Sequence, residues 1–294
     1  MGSMPKVLFT KKITPESLIY IYEALRHPLV PKIAVKISTG ESEHSNHLRP
    51  ELILPLVQRL NGDIVECNTA YEGNRDTTEK HLKVLEERGY TKGARCVILD
   101  DIGDMSLPVN DGIHLQENYV GKKLNYYNGL LVLSHFKGHS MAGFGGALKN
   151  MSIGLASSRG KVHIHTGGRT FDREEVMNPA YHMDFLESMA DACMSVMDYM
   201  GRGNIVYINV ANRLSVDCDC VAEPEPCMMP DIGIFASLDP VALDQACLDA
   251  VYECQDQSKG YFIERYESRN GGVLVDTAAK LRLGSPFYQL VSLD

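Results

Sequence analysis

Residues 129–168 read GLLVLSHFKGHSMAGFGGALKNMSIGLASSRGKVHIHTGG. The apolar run Gly129-Leu130-Leu131-Val132-Leu133 has the composition of a buried strand and opens at once into a loop of small residues. Open α/β sheets place their ligands where strand ends give way to such loops. The stretch holds four histidines (His135, His139, His163, His165), three lysines (Lys137, Lys149, Lys161) and the run Gly143-Phe144-Gly145-Gly146. Glycine lets the backbone approach a ligand closely, so Gly145 and Gly146 are read as a main-chain wall around a bound group. His139, Lys149 and His165 are the candidate reactive residues, because imidazole acts as base or metal ligand near neutral pH and a desolvated amine forms adducts with carbonyls. The segment Val162-His163-Ile164-His165 alternates as a strand does, which would send both imidazoles to one face to share a ligand. Phosphate P-loop and Rossmann fingerprints both fail on spacing, and Asn150 stands where a P-loop has Ser or Thr.

The rest of the chain extends the same rhythm. Strands are expected at 7–10, 32–37, 63–67 and 96–100, with helices over 15–26, 50–60 and 77–88 between them. This alternation predicts an α/β fold, a mostly parallel sheet with helices on both faces. The polar loops 38–50 and 68–76 are long enough to be functional, and Arg49, just ahead of a helix start, offers a planar fork for a carboxylate or phosphate. Downstream, 181–199 should be the longest helix, 205–210 and 231–237 strands, and Asp239-Pro240 a helix start. Residues 105–128 read as irregular, the acidic run Asp100–Asp104 as a turn, and the last forty residues carry no chemical signal. A single domain over 4–294 is expected, with lobes 4–170 and 171–294 flanking the site. Met1–Ser3, ahead of a second methionine, read as a cloning remnant.

With 294 residues, 44% of them hydrophobic, the chain can bury a sizeable core. A net charge of -9 argues against a nucleic-acid or membrane-surface partner. No stretch is apolar enough to span a bilayer or serve as a signal peptide, so a cytoplasmic location is expected. The eight cysteines are too scattered for a disulfide framework, and only Cys218, Cys220 and Cys227 cluster, in a Pro-rich loop. Thiolates so placed can hold a metal ion or an iron–sulfur cluster, although the spacing completes neither a zinc ribbon nor a ferredoxin motif.

The segments GHSMAGFGGALKNMSIGLAS, VDCDC and PDIGIFASLDPVALDQA resemble the signature segments of a large uncharacterised prokaryotic family often labelled iron–sulfur-associated, here without its frequent ferredoxin module. The chain is also distantly similar to the N-terminal domain of nickel-pincer lactate racemase. That resemblance implies a lactate-racemase-like core, His139 as a catalytic histidine, Lys149 as the attachment point of a nickel-pincer-like cofactor, and His165 as a metal ligand. His163, Cys218, Cys220 and Cys227 complete the candidate metal set. Residues Asn46-His47-Leu48-Arg49-Pro50 resemble the racemase substrate loop, making His47 and Arg49 substrate-binding candidates. Gly73-Asn74-Arg75 falls where that family has its second catalytic histidine, leaving Asn74 in the catalytic place and Arg75 beside the substrate. Racemisation needs an acceptor on each face of the substrate, so this departure argues against a simple racemase. The combined expectation is a metal- or organometallic-cofactor-dependent redox or isomerase-type enzyme acting on a small carboxylate-bearing molecule. The alternative is an iron–sulfur or metal carrier that passes electrons or cargo to a redox partner protein.

Overall fold

A computed structural model describes residues 4–294, so the tripeptide read as a cloning remnant lies outside the described residues. The chain begins with β1 (Lys6–Thr10), α1 (Pro15–Ala24), β2 (Ile33–Lys36), α2 (Pro50–Arg59), β3 (Asp63–Glu66), α3 (Thr78–Glu87) and β4 (Cys96–Ile98). It continues through β5 (Asp104–Pro108), β6 (Glu117–Gly121), β7 (Gly129–His135), β8 (Lys137–His139), β9 (Gly143–Gly145), α4 (Ala147–Leu155), α5 (Ser158–His165) and α6 (His182–Met200). The last elements are β10 (Ile205–Ala211), β11 (Gly233–Ser237), α7 (Pro240–Glu253), α8 (Lys259–Ser268), α9 (Gly272–Lys280) and β12 (Gln289–Ser292). Helix starts follow local chemistry: Thr14 accepts from the Ser17 N–H, Thr77 from Lys80, and Asp239 from both Val241 and Ala242.

Eight strands form one sheet in the order β12-β1-β11-β10-β7-β2-β3-β4. Only β11 runs against its neighbours, so the fold is the expected mostly parallel α/β sheet. Strands from both halves of the chain share it, β7 pairing with β10 and β1 with β11. The period of two sends alternate residues into separate cores. Leu130 and Val132 join the layer with α4, α6 and α7, and Leu131 and Leu133 the layer with α1 and α2. From β2 the chain steps outward to β3 and β4, whereas β7, on the other side of β2, leads on to β10. The β2–β7 boundary is therefore a topological switch point, and a crevice opens beyond the carboxyl ends of these two strands.

Two expectations are corrected. Residues 105–128 are not irregular, since β5 and β6 pair antiparallel across five positions. The final forty residues, which carry no chemical signal in the sequence, hold α8, α9 and β12, which extends the sheet alongside β1. The segment Val162–His165 is helix α5, not a strand. Ser157 Oγ accepts the Gly160 N–H at 3.0 Å and starts the helix, and four residues of alternation cannot outweigh that cap. Two residues apart on a helix means about 200° of rotation, so His163 and His165 diverge. Among the described residues no helix is long and apolar enough to cross a membrane.

Candidate functional site

The crevice is a hollow of about 310 Å³ built on strand ends that carry charge where the strands are otherwise apolar. Lys36 ends β2 and Glu66 ends β3; both are buried, and Lys36 Nζ meets Glu66 Oε2 at 2.6 Å and Asn150 Oδ1 at 3.1 Å. Glu66 also accepts the Thr39 N–H at 2.9 Å. Burial alone would raise the Glu66 carboxyl, but Lys36 and His81 hold it down at about 2. Gly154 makes room for this pair: a Cβ there would lie 2.7 Å from Lys36 Cε.

Beyond β7 the chain turns through β8 and β9, which face the loop carrying Cys218, Asp219 and Cys220 across the hollow. Asp219 is buried and binds Lys137 Nζ at 2.9 Å and His135 Nδ1 at 2.8 Å. Burial pushes its carboxyl up, but Lys137 and His135 prevail and hold it well below the usual range. Gly145 and Gly146 line the hollow as expected of a main-chain wall. Gly146 also lets Asp244 approach from α7, since a Cβ would meet its Oδ1 at 2.3 Å. Asp244 accepts the N–H groups of Ala147 and Leu148 and so caps α4 from another element.

His139, Lys149 and His165 converge on this hollow. Lys149 is half-buried on the first turn of α4, and among the described residues its Nζ has no hydrogen-bond or ion-pair partner. Burial first, and then the neighbouring Lys137 charge, bring its pKa from 10.5 to about 7. The two imidazoles are held in opposite senses. His139 Nδ1 accepts the N–H groups of Met141 at 3.1 Å and Ala142 at 2.9 Å, which leaves its proton on Nε2. His165 Nδ1 donates to the Lys161 carbonyl at 2.6 Å while the ring stacks on Phe185, which leaves its Nε2 with an open lone pair. Burial, with Lys149 next, holds His139 well below its ordinary value; burial above all lowers His165 to about 4. One neutral ring is thus a donor and the other an acceptor.

The remaining sequence candidates fall differently. Arg75 lines the hollow, paired with Glu41 at 3.0 Å, but Asn74 is exposed outside it, its side chain donating to the Glu41 carbonyl. Arg49 folds back onto His47 Nε2 at 2.9 Å and onto the Glu43 and Ser45 carbonyls, so neither Arg49 nor His47 faces the hollow. His163 stacks on Phe171 at 4.8 Å, on the far side of α5 from His165. Lys36, Glu66, Lys161 and Asp219 line the hollow but were not singled out as site residues. Their signal is a charged residue ending a short strand for Lys36 and Glu66, a place in the His- and Lys-rich stretch for Lys161, and a position between two cysteines for Asp219.

Cys218 and Cys220 are joined by a disulfide in the wall of the hollow, and Cys227 stands apart with its thiol on the Arg213 carbonyl at 3.0 Å. His139, Cys218 and Cys220 present potential ligand atoms within 4.8 Å of one another. With the thiols reduced, these three side chains are a candidate metal-binding group; joined as a disulfide, the two sulfurs are not the thiolate pair that a metal ion needs. Nor do the described residues bring three cysteines together for an iron–sulfur cluster. Lys149 offers an unpartnered amine, and His165 Nε2 an open lone pair, to a group bound in the hollow.

Four neutral histidines make the fold acid-sensitive. His47 and His81 are lowered to about 3 and His165 to about 4 by burial, and His139 is lowered as well, each from 6.5. Below about pH 6.5 the unfolded chain takes up protons that the folded chain refuses, so stability falls as pH falls through that value. The melting temperature is expected to drop steadily between about pH 7 and 5. A flat profile there would show that these rings titrate normally.

A family model described as "Domain of unknown function (DUF362)" matches residues 33–249, which include all three signature segments quoted from the sequence. No curated protein matches the chain. Among solved structures, the lactate racemase apoprotein from Thermoanaerobacterium thermosaccharolyticum is 18% identical over 71% of this chain and 51% of its own, with a TM-score of 0.42. A structural-genomics protein from Thermotoga maritima is 12% identical over 92% of this chain and 60% of its own, with a TM-score of 0.45. The chain spans about half the length of the first of these and 60% of the second.

Proposed function

The chain belongs to the DUF362 family, and from that premise we propose that it is an enzyme acting on a small carboxylate-bearing molecule held in the hollow. The observation that carries this reading is the unpartnered Lys149 amine in a wall richer in cations than in acids. Lys149 takes the carboxylate as an ammonium, with Lys137 adding to the local positive field. His139 donates its Nε2 proton in a hydrogen bond to a substrate oxygen, and His165 Nε2 accepts a proton from the substrate carbon or hydroxyl. A cofactor bound in the hollow beside His165 would supply an electron-accepting centre for this chemistry. Among the described residues only His165 has an imidazole lone pair open to the hollow, so a one-acceptor reaction is favoured over a two-acceptor racemisation. The carrier alternative would use the group of His139, Cys218 and Cys220 with its disulfide reduced.

The test is calorimetric titration of the purified protein with lactate. Binding an anion favours the charged form of Lys149, so complex formation should take up a proton, and affinity should fall as pH rises through about 7. Proton uptake is read from the dependence of the heat on buffer ionisation. Binding without uptake would remove Lys149 from the anchor role, and no binding of lactate or other small carboxylates would remove the reading itself.

A further inference from the structure

The charges around the hollow do not balance, and the imbalance has a definite size. Five cations line it, Lys36, Arg75, Lys137, Lys149 and Lys161, in a chain whose net charge is -9. Three of them are matched within the protein: Lys36 by Glu66 at 2.6 Å, Arg75 by Glu41 at 3.0 Å and Lys137 by Asp219 at 2.9 Å. Two are not. Lys161 is buried and its Nζ reaches only the Ala156 carbonyl, at 2.5 Å. Lys149 has no partner at all among the described residues.

Nearby carboxylates do not make up the difference. Asp244 is turned to the Ala147 and Leu148 N–H groups behind Gly146, and Asp100 to those of Asn68 and Ser158. An unpaired cation in a partly enclosed wall is expensive unless a ligand supplies the opposite charge. We propose that the hollow is built for a small dianion, a molecule with two acidic functions, whose charges are matched by Lys149 and Lys161. This rests on the reading of the hollow as a carboxylate site and adds a second acidic group to its ligand. The lowered pKa of Lys149 agrees, since it is what an amine shows when its counter-charge is missing.

The test compares succinate, its mono-amide and inorganic phosphate by calorimetric titration of the full chain near neutral pH. Succinate should bind at least about tenfold more tightly than the mono-amide, which matches it in shape and lacks one charge. Lys161→Met should reduce that preference to near unity while the mono-amide still binds, and Lys161→Arg, which keeps the charge, should retain most of it. A melting curve for each variant separates loss of the site from loss of fold, and Lys161→Gln, closer to the parent in polarity and likewise without the charge, carries the test if the methionine variant fails to fold. Phosphate binding more tightly than succinate still supports a dianion, one with its charges on a single centre. Equal affinity for succinate and its mono-amide overturns the dianion and leaves the carboxylate site standing. Failure of all three ligands overturns both.

Discussion

Replacing Asp219 by asparagine is expected to destabilise the protein by about 3–5 kcal/mol, the loss seen when one member of a buried ion pair is removed and the other is left uncompensated. Asp219 holds Lys137 and His135 at once, and its own carbonyl accepts the Glu41 N–H at 2.8 Å. It therefore ties the end of β7 to the disulfide loop and to the loop after β2. The double variant Asp219→Asn with Lys137→Met should recover much of the loss, because it removes the stranded cation as well. Chemical denaturation of the three proteins provides the comparison. If the single variant melts like the parent, the charged network is not what fixes this wall.

Lys149→Met is expected to show the opposite pairing of effects. Carboxylate affinity, and turnover once a substrate is found, should fall by about 100-fold or more, as an anchoring charge disappears from a partly buried site. Stability should hold or rise, because an amine whose pKa has been brought to about 7 is a group that folding has penalised. Titration calorimetry and a melting curve on the same preparation decide the matter. A variant that loses stability and keeps its affinity would make Lys149 a structural residue.

The sequence made the architecture legible because each parallel strand is a short apolar run closed by polar residues, and each early helix starts at a Thr or a Pro. The β5–β6 pair stayed hidden since Met105, Ser106, Asn118 and Tyr119 give neither clean alternation nor a continuous apolar run. Within the site, the clustering of His139, Lys149 and His165 was visible because one short passage of the chain, from β8 to α5, delivers all three. The pairings around them were not, since Lys36 and Glu66 come from different strands and Asp219 from a loop more than eighty residues after His135. Long-range ion pairs leave no local pattern. Resemblance to the racemase loop drew Arg49 and His47 toward the substrate. In the structure Arg49 spends its fork on backbone carbonyls and His47, and Arg75 faces the hollow in its stead.

The tautomers of His139 and His165 likewise depend on neighbours in space. Two N–H groups from the turn after β8 define the first, and one carbonyl a helical turn earlier defines the second. That difference separates a reaction with one proton acceptor from one with two, and no spacing in the sequence encodes it.

The most direct measurement is the titration of the Lys149 side chain, followed by NMR of protein labelled at the lysine Cε, with the Lys149→Met variant assigning the signal. The free protein should show this amine titrating near 7, and a saturating small carboxylate should move it up toward the ordinary lysine range. An amine that titrates near 10.5 in the free protein, or that does not respond to any carboxylate, would contradict the account.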